Sequence, residues 1–144
     1  TAWLDSGVQP YPQAASNNYV FQHEIGFDDD GSEMTNVFIE SADFDIGDGE
    51  QYSFVRRIIP DIKFLDTDTA SNVNLITKTR NFPGDSLTTA ATSNVTPSTK
   101  QSHIRARGRQ AVLRVASNDS DSGNVGVGWR LGSTRFDIKA DGKR

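Results

Sequence analysis

The feature that most constrains this chain is its hydrophobic periodicity, which is typical of β-strands. No window keeps apolar residues at i, i+3, i+4 and i+7 with good helix formers between them. Short runs of alternating apolar and polar residues recur instead, bounded by turn residues. The clearest is Asn72–Arg80, where Val73, Leu75, Thr77 and Thr79 fall on one face. The pattern therefore predicts an all-β fold.

Nine segments are predicted as strands on this basis. They are Tyr19–Ile25, Asn36–Glu40, Phe44–Ile46, Gln51–Ile59, Asp61–Leu65, Asn72–Arg80, Ser102–Ala116, Val125–Leu131 and Thr134–Lys139. The chain has 144 residues, of which 35% are apolar, and this suits a single domain with one thin core. We expect an antiparallel sandwich or distorted barrel of roughly eight to ten strands over residues 1–144.

The alternation also predicts which side chains form the core. Seven apolar side chains are expected to be largely buried: Phe54, Ile58, Leu75, Leu113, Val115, Trp129 and Phe136. In Gln51–Ile59 this prediction assumes an unbroken alternation that puts Phe54 and Ile58 on the same face.

The segment from His103 to Val115 does not keep one register. An unbroken strand would place three arginines in line with the apolar face of Ala111 and Val115. One extra residue near Gly108 removes this conflict, because Ile104 then joins the apolar face. We therefore predict a β-bulge at Arg107–Arg109, where Gly108 supplies the backbone freedom.

Residues 82–101 look different from the rest of the chain. They are rich in Thr, Ser, Ala and Asn, with Pro83-Gly84 at the start and Pro97 near the end. We predict one long, flexible loop, either mobile or ordered against another chain. Because the sequence begins at Thr1 and not at Met, we also expect a processed product or a piece of a longer protein.

Charge is divided unevenly along the chain, although the net charge is only −4. Residues 1–68 carry 14 acidic and three basic residues, a net charge of −11, whereas residues 69–144 carry +7. Three interpretations remain open: two solvated surfaces of one domain, complementary contact surfaces between copies, and nucleic-acid binding by the basic half. A pI near 5.0 argues against simple wrapping of DNA.

Sequence motifs for catalysis or metal binding are absent. There is no cysteine, and the two histidines, His23 and His103, have no neighbouring ligand pair. The acidic turns at 28–33 and 43–50 lack the spacing of a helix–loop–helix calcium site. The sequence has no nucleophile elbow, no phosphate-binding loop, and no apolar run near the ~20 residues that cross a bilayer. We predict no catalytic residue, no metal, no cofactor and no membrane span; an enzyme with two catalytic carboxylates stays an unsupported alternative.

Four motifs in order carry a family resemblance. They are FVRRIIPDIKF (54–64), KTRNFPG (78–84), RARGRQAVLR (105–114) and WRLGSTRFDI (129–138) followed by DGKR (141–144). This series resembles the C-terminal region of tail-nozzle, or DNA-stabilisation, proteins in the virions of short-tailed phages. It covers roughly Glu24 to Arg144. The resemblance implies a structural fragment of a longer virion protein, located in the phage tail and without enzymatic activity.

As the resemblance implies, the chain would form a homo-oligomeric ring with adjacent tail proteins, through which DNA passes without specific binding. A lumen wall rich in Lys and Arg would hold the phosphates, whereas an acidic wall would repel them and keep the duplex centred. The candidates for that wall are Asp28, Asp29, Asp30, Asp43, Asp45 and Asp48. The candidates for contacts with the next copy are Arg105, Arg107, Arg109 and Arg114.

A binding function of another class is the main alternative. A carbohydrate-binding β-sandwich of a receptor-binding tail module would need exposed aromatic side chains in a row. The candidates for such a platform are Trp3, Tyr11 and Tyr19, all near the N-terminus.

Overall fold

The computed structural model describes residues 2–5, 7, 9–32, 34, 37–46, 50–65, 71–117 and 127–142. This part of the chain contains thirteen strands and no helix, so the predicted all-β class is confirmed. The strands are β1 (Ala2–Leu4), β2 (Gln13–Ser16), β3 (Tyr19–Gln22), β4 (Phe38–Glu40), β5 (Phe44–Asp45), β6 (Ser53–Ile59), β7 (Ile62–Phe64), β8 (Val73–Arg80), β9 (Thr88–Val95), β10 (Ser102–Gly108), β11 (Gln110–Ser117), β12 (Trp129–Leu131) and β13 (Arg135–Ala140).

The strands pair in antiparallel fashion into four sheets. The N-terminal sheet has the order β1–β2–β3, and a second three-stranded sheet has the order β10–β6–β13. A five-stranded sheet has the order β4–β11–β8–β9, with β5 also pairing with β11, and β7 and β12 form a two-stranded ribbon. Within the described residues no sheet closes into a barrel, so the architecture is one of open sheets.

One core joins the β10–β6–β13 sheet to the five-stranded sheet. Its buried members on these two sheets are Val55, Ile58, Val73, Leu75, Val95, Ile104, Ala106, Ala111, Leu113 and Val115. Four of the seven predicted core residues are among them. Trp129 and Phe136 are half-buried and pack against this cluster, so the prediction overstated their burial.

The predicted facing of β6 is wrong for Phe54. Ser53 and Val55 are buried, whereas Phe54 is only half-buried on the opposite face. The pairing of β6 with β13 shifts by one residue at Arg56. This bulge changes the parity of the strand, so Ile58 is buried although Phe54 is not. The prediction assumed an unbroken alternation and therefore did not include the extra residue at Arg56.

The predicted change of register near Gly108 is confirmed, but it marks a passage between two sheets. Ile104 in β10 and Ala111 in β11 are both buried, as the extra residue requires. β10 pairs with β6 and β11 pairs with β8, and the chain crosses between them at Arg109. The bulge expected inside one ladder is therefore a break between two strands.

Backbone hydrogen bonds hold this crossing in place. The Arg109 amide donates to the Arg80 carbonyl at 3.2 Å, and the Arg109 carbonyl accepts from the Ile46 amide at 2.8 Å. A Cβ atom at Gly108 would lie only 2.8 Å from the Cβ of Thr79. Glycine at this position therefore allows β10 to approach β8 closely.

The prediction of one long loop over 82–101 is wrong in the middle of that segment. Thr88–Val95 forms β9, which pairs with β8 along most of its length. Val95 is fully buried, and the Asn94 side-chain amide donates to the Asn72 side-chain oxygen at 2.8 Å. The strand lacks apolar alternation because threonine, serine and alanine fill it at the edge of the sheet, and periodicity alone does not detect such a strand.

The N-terminal sheet takes no part in the core. Every residue of β1 and β3 is exposed. Asn17 and Asn18 join β2 to β3 with φ values of 51° and 68°, the left-handed conformation that favours asparagine in tight hairpins. Of the three strands in this sheet, only β3 falls within a predicted strand, Tyr19–Ile25.

Candidate functional site

The four arginines predicted to contact a neighbouring copy lie in three different places. Arg105 and Arg107 project from the exposed side of β10, where buried and exposed residues alternate. Arg109 lies at the crossing between β10 and β11. Arg114 lies in β11, in the other sheet. The RARGRQAVLR motif is therefore not one continuous basic surface.

Arg107 and Arg109 contact aromatic rings of their own chain. The Cζ atom of Arg107 lies 4.2 Å from the centre of the Tyr52 ring, and its Nε donates to the Asp141 carboxylate. The Cζ atom of Arg109 lies 5.0 Å from the Tyr52 ring centre and 4.9 Å from that of Phe82. Contacts of this kind contribute about 0.5–1 kcal/mol each at exposed sites, so they support the crossing between the sheets.

Arg114 takes part in a cluster of ion pairs around Glu40. The Lys78 ammonium lies 2.7 Å from Glu40 Oε2, and an Arg114 guanidinium nitrogen lies 3.5 Å from the same oxygen. The hydrogen bond from Lys78, assisted by Arg114, holds the pKa of Glu40 below its ordinary value of 4.5. Arg114 also lies 3.6 Å above the Phe38 ring.

The acidic residues predicted for a lumen wall also lie in different places, and two of them contact groups of their own chain. Asp43 forms an ion pair with Arg80, and Asp45 accepts a hydrogen bond from the Gln110 side chain at 2.9 Å. The remaining described ones form the turn Asp28–Asp30, and Asp48 lies outside the described residues. Some acidic residues of the first half of the sequence therefore contact residues of the second half within one chain.

A groove lined by apolar side chains opens beside β4, the edge strand of the five-stranded sheet. We call it the apolar groove, and its volume is about 320 Å³. Its main lining side chains are Phe27, Met34, Val37, Phe38, Ile39 and Trp129. The Phe27 ring lies against Gly128, where a Cβ atom would come within 2.7 Å of it. All of these side chains except Trp129 are exposed by more than a third.

The N-terminal sheet carries a second open surface, which we call the aromatic face. It consists of Trp3, Tyr19, Phe21 and His23. Trp3 and Phe21 lie opposite Ala14 in the pairing of the three strands. The ring centres of Trp3 and His23 are 5.0 Å apart, and those of Tyr19 and Phe21 are 6.2 Å apart.

Sequence reasoning found only part of these surfaces. It named Trp3 and Tyr19 as exposed aromatic candidates, and both are indeed exposed, at 59% and 69%. Tyr11, the third candidate, is exposed but lies outside the strands. The apolar groove was missed because its residues come from separate segments that only the fold brings together. The alternation of Tyr19, Phe21 and His23 was the available signal for the aromatic face.

In the described part of the chain, no group of three or more histidine, aspartate and glutamate side chains is arranged to hold a metal ion. Nor do the described residues include a helix long and apolar enough to cross a membrane.

No protein-family model matches the sequence, and no curated protein shows significant similarity to it.

Proposed function

We propose that this chain is a structural domain of a phage virion, part of a tail-nozzle ring that retains and conducts packaged DNA. Its task is to bind copies of itself and adjacent tail proteins, while DNA passes without specific binding. The observation that carries the proposal is the apolar surface left open on the aromatic face and in the apolar groove. Contiguous exposed apolar patches of this kind are typical of surfaces that bind other proteins.

A head-to-tail contact uses both surfaces at once. In a ring, each copy offers one surface and receives a different one, so the two need to be complementary and not identical. The aromatic face of one copy supplies rigid rings, and the apolar groove of the next copy supplies a concave apolar lining. Aromatic anchors in apolar pockets are the usual source of binding energy in such interfaces.

Charge has a smaller part in this contact than the sequence suggested. Arg107, Arg109 and Arg114 contact groups of their own chain, as do Asp43 and Asp45. Exposed ion pairs contribute only ~0.2–1 kcal/mol each, so the apolar surfaces carry the assembly. The turn Asp28–Asp30 is the part of the predicted acidic lumen wall that we retain in the proposal.

The test is the mass in solution, measured by light scattering over a wide range of concentration. The unchanged chain should form a defined oligomer, and Trp3→Ser with Phe21→Ser should reduce it to a monomer. Tyr11→Ser is the matched control, since it removes an exposed aromatic ring that lies outside the strands, and it should leave the oligomer intact. A monomer throughout the range, or equal effects of both variants, would contradict the proposed contact.

Carbohydrate binding is the second candidate, and the aromatic face is the observation that favours it. Exposed rings on one side of a sheet can stack against sugar rings, as a receptor-binding tail module requires. A glycan array separates the two functions. Binding that Trp3→Ser abolishes in a chain that stays monomeric would support the carbohydrate module; an array without binding would exclude it for the glycans tested.

A further inference from the structure

The outer surface of the β10–β6–β13 sheet gathers basic side chains from all three strands. We call it the basic face. Its members are Arg56, Arg57, His103, Arg105, Arg107 and Lys139. The inner side of the same sheet is part of the apolar core, so alternation along β10 directs every second side chain outward.

The bulge in β6 concentrates this charge. Because Arg56 is the extra residue opposite β13, both Arg56 and Arg57 are accessible between the buried Val55 and Ile58. Both guanidinium groups approach Asp137, at 3.9 Å and 3.4 Å from the same carboxylate oxygen. One carboxylate therefore lies between two cations and neutralises only part of their charge.

The balance of charge on this face is strongly positive. Five of its side chains are arginine or lysine, and the carboxylates that pair with them among the described residues are Asp137 and Asp141. The side chains of Arg56 and Arg107 remain 51% and 50% exposed. A surplus of positive charge on a chain with a net charge of −4 marks this face as a place for an external anion.

An aromatic ring lies in the middle of these cations. In the strand pairing, Phe54 is directly opposite Arg107 on one side and Lys139 on the other. Phe54 also lines a shallow groove of about 700 Å³ together with Arg56, His103 and Arg105. Side chains two residues apart on a strand are ~6.6 Å apart, so Arg105 and Arg107 lie next to each other on the exposed side of β10.

We propose that the basic face binds single-stranded nucleic acid, with phosphates on the arginines and one base stacked on Phe54. Basic grooves that follow a backbone, combined with aromatic rings for the bases, are how proteins hold single strands without reading their sequence. This inference does not rest on the proposed ring, because it uses neither the aromatic face nor the apolar groove.

The acidic surface of a second copy is a poorer match for this face. Glu40, Asp43 and Asp45, the acidic side chains between the end of β4 and the end of β5, already bind Lys78, Arg80 and Gln110 of their own chain. Carboxylates would also interact with the cations only and not with the ring of Phe54. A nucleic-acid strand uses both the charge and the ring.

The experiment is a fluorescence-anisotropy titration of the full chain with labelled oligothymidylate at several salt concentrations. Binding should weaken steeply as salt rises. Arg56→Gln with Arg105→Gln should lower the affinity. It should also make the slope of log affinity against log salt concentration less steep, by about 0.7 for each phosphate that is no longer neutralised. Phe54→Leu keeps the charge but removes the ring, and it should weaken binding about tenfold. Circular dichroism confirms that each variant folds.

The matched control is Lys63→Gln with Arg130→Gln. These two exposed residues are paired across β7 and β12, which form a sheet separate from the basic face, and their substitution should leave the affinity within about twofold. Three results would overturn the proposal: no binding at low salt, heparin or duplex DNA binding as tightly as the single strand with no effect of Phe54→Leu, and salt-sensitive self-association through these arginines in place of nucleic-acid binding.

Discussion

Two three-stranded antiparallel sheets in this molecule have the same size and opposite surroundings. The β10–β6–β13 sheet has one face in the core and one charged face towards solvent. The N-terminal sheet exposes every residue of its outer strands, including Trp3 and Tyr19. In both sheets, successive side chains point to opposite faces, but only the β10–β6–β13 sheet has an apolar face that the rest of the chain covers.

This difference separates what stabilises the domain from what is left for a partner. A sheet of three strands needs a packed apolar face for independent stability. The β10–β6–β13 sheet gains it from Leu75, Leu113 and their neighbours in the five-stranded sheet. The N-terminal sheet has aromatic residues for such a face, and we expect another subunit to cover them.

The same substitution in the two regions should have very different effects on stability. Leu113 is 9% exposed in the core, whereas Leu4 is 46% exposed in β1. Leu113→Ala should lower the free energy of unfolding by about 2–5 kcal/mol, because it removes buried methyl groups and leaves a cavity. Leu4→Ala should change it by less than about 0.5 kcal/mol.

Denaturant unfolding of the two variants measures this contrast. A decrease below about 1 kcal/mol for Leu113→Ala would mean that the assigned facing of β11 is wrong. A large decrease for Leu4→Ala would mean that the N-terminal sheet packs on the domain, and the comparison between the two sheets would fail.

The fold class followed from the sequence because strand periodicity is a local property. Val73, Leu75, Thr77 and Thr79 are buried, as their alternation predicted, and the change of register at Gly108 was detected as a conflict between charge and burial. β9 was missed because its pairing with β8 depends on the backbone and on threonine, without an apolar pattern.

The candidate surfaces were less predictable, because they depend on contacts between distant segments. The bulge at Arg56, which turns Phe54 away from the core, arises from pairing with β13. The apolar groove joins Phe27 to Trp129, about a hundred positions apart in the sequence. Arg114, which was predicted to contact another copy, pairs with Glu40 of its own chain, and Asp43 of the predicted lumen wall pairs with Arg80.

Glycines of the two regions offer a second comparison, with a smaller expected effect. Gly108→Ala places a Cβ atom 2.8 Å from the Thr79 Cβ and 3.3 Å from the Arg80 carbonyl oxygen. β10 and β8 must then move apart, so we expect stability to fall by about 1–3 kcal/mol. Gly7→Ala meets no atom within 4 Å and should be neutral or slightly stabilising. Thermal unfolding of both variants checks this, and equal melting temperatures would show that the crossing adapts freely.

The smallest expected effect concerns Glu40 and depends on pH. The hydrogen bond from Lys78 lowers the pKa of Glu40 in the folded state below 4.5, so the unfolded chain takes up this proton more readily than the folded one. The stability that the pair contributes is therefore complete above about pH 4.5 and is lost as the pH falls through the folded-state pKa. Since the pair lies at the surface, its contribution should stay below about 1 kcal/mol.

Glu40→Gln should consequently lower the free energy of unfolding at neutral pH, and the gap to the unchanged chain should close in acid. The control is Glu24→Gln, since Glu24 is exposed in the N-terminal region and forms no ion pair among the described residues. That variant should match the unchanged chain at every pH. Urea unfolding from about pH 7 down to about pH 3 measures both differences. A gap for Glu40→Gln that stays constant or widens in acid would mean that the substitution acts through packing on β11 and not through the charge of the pair.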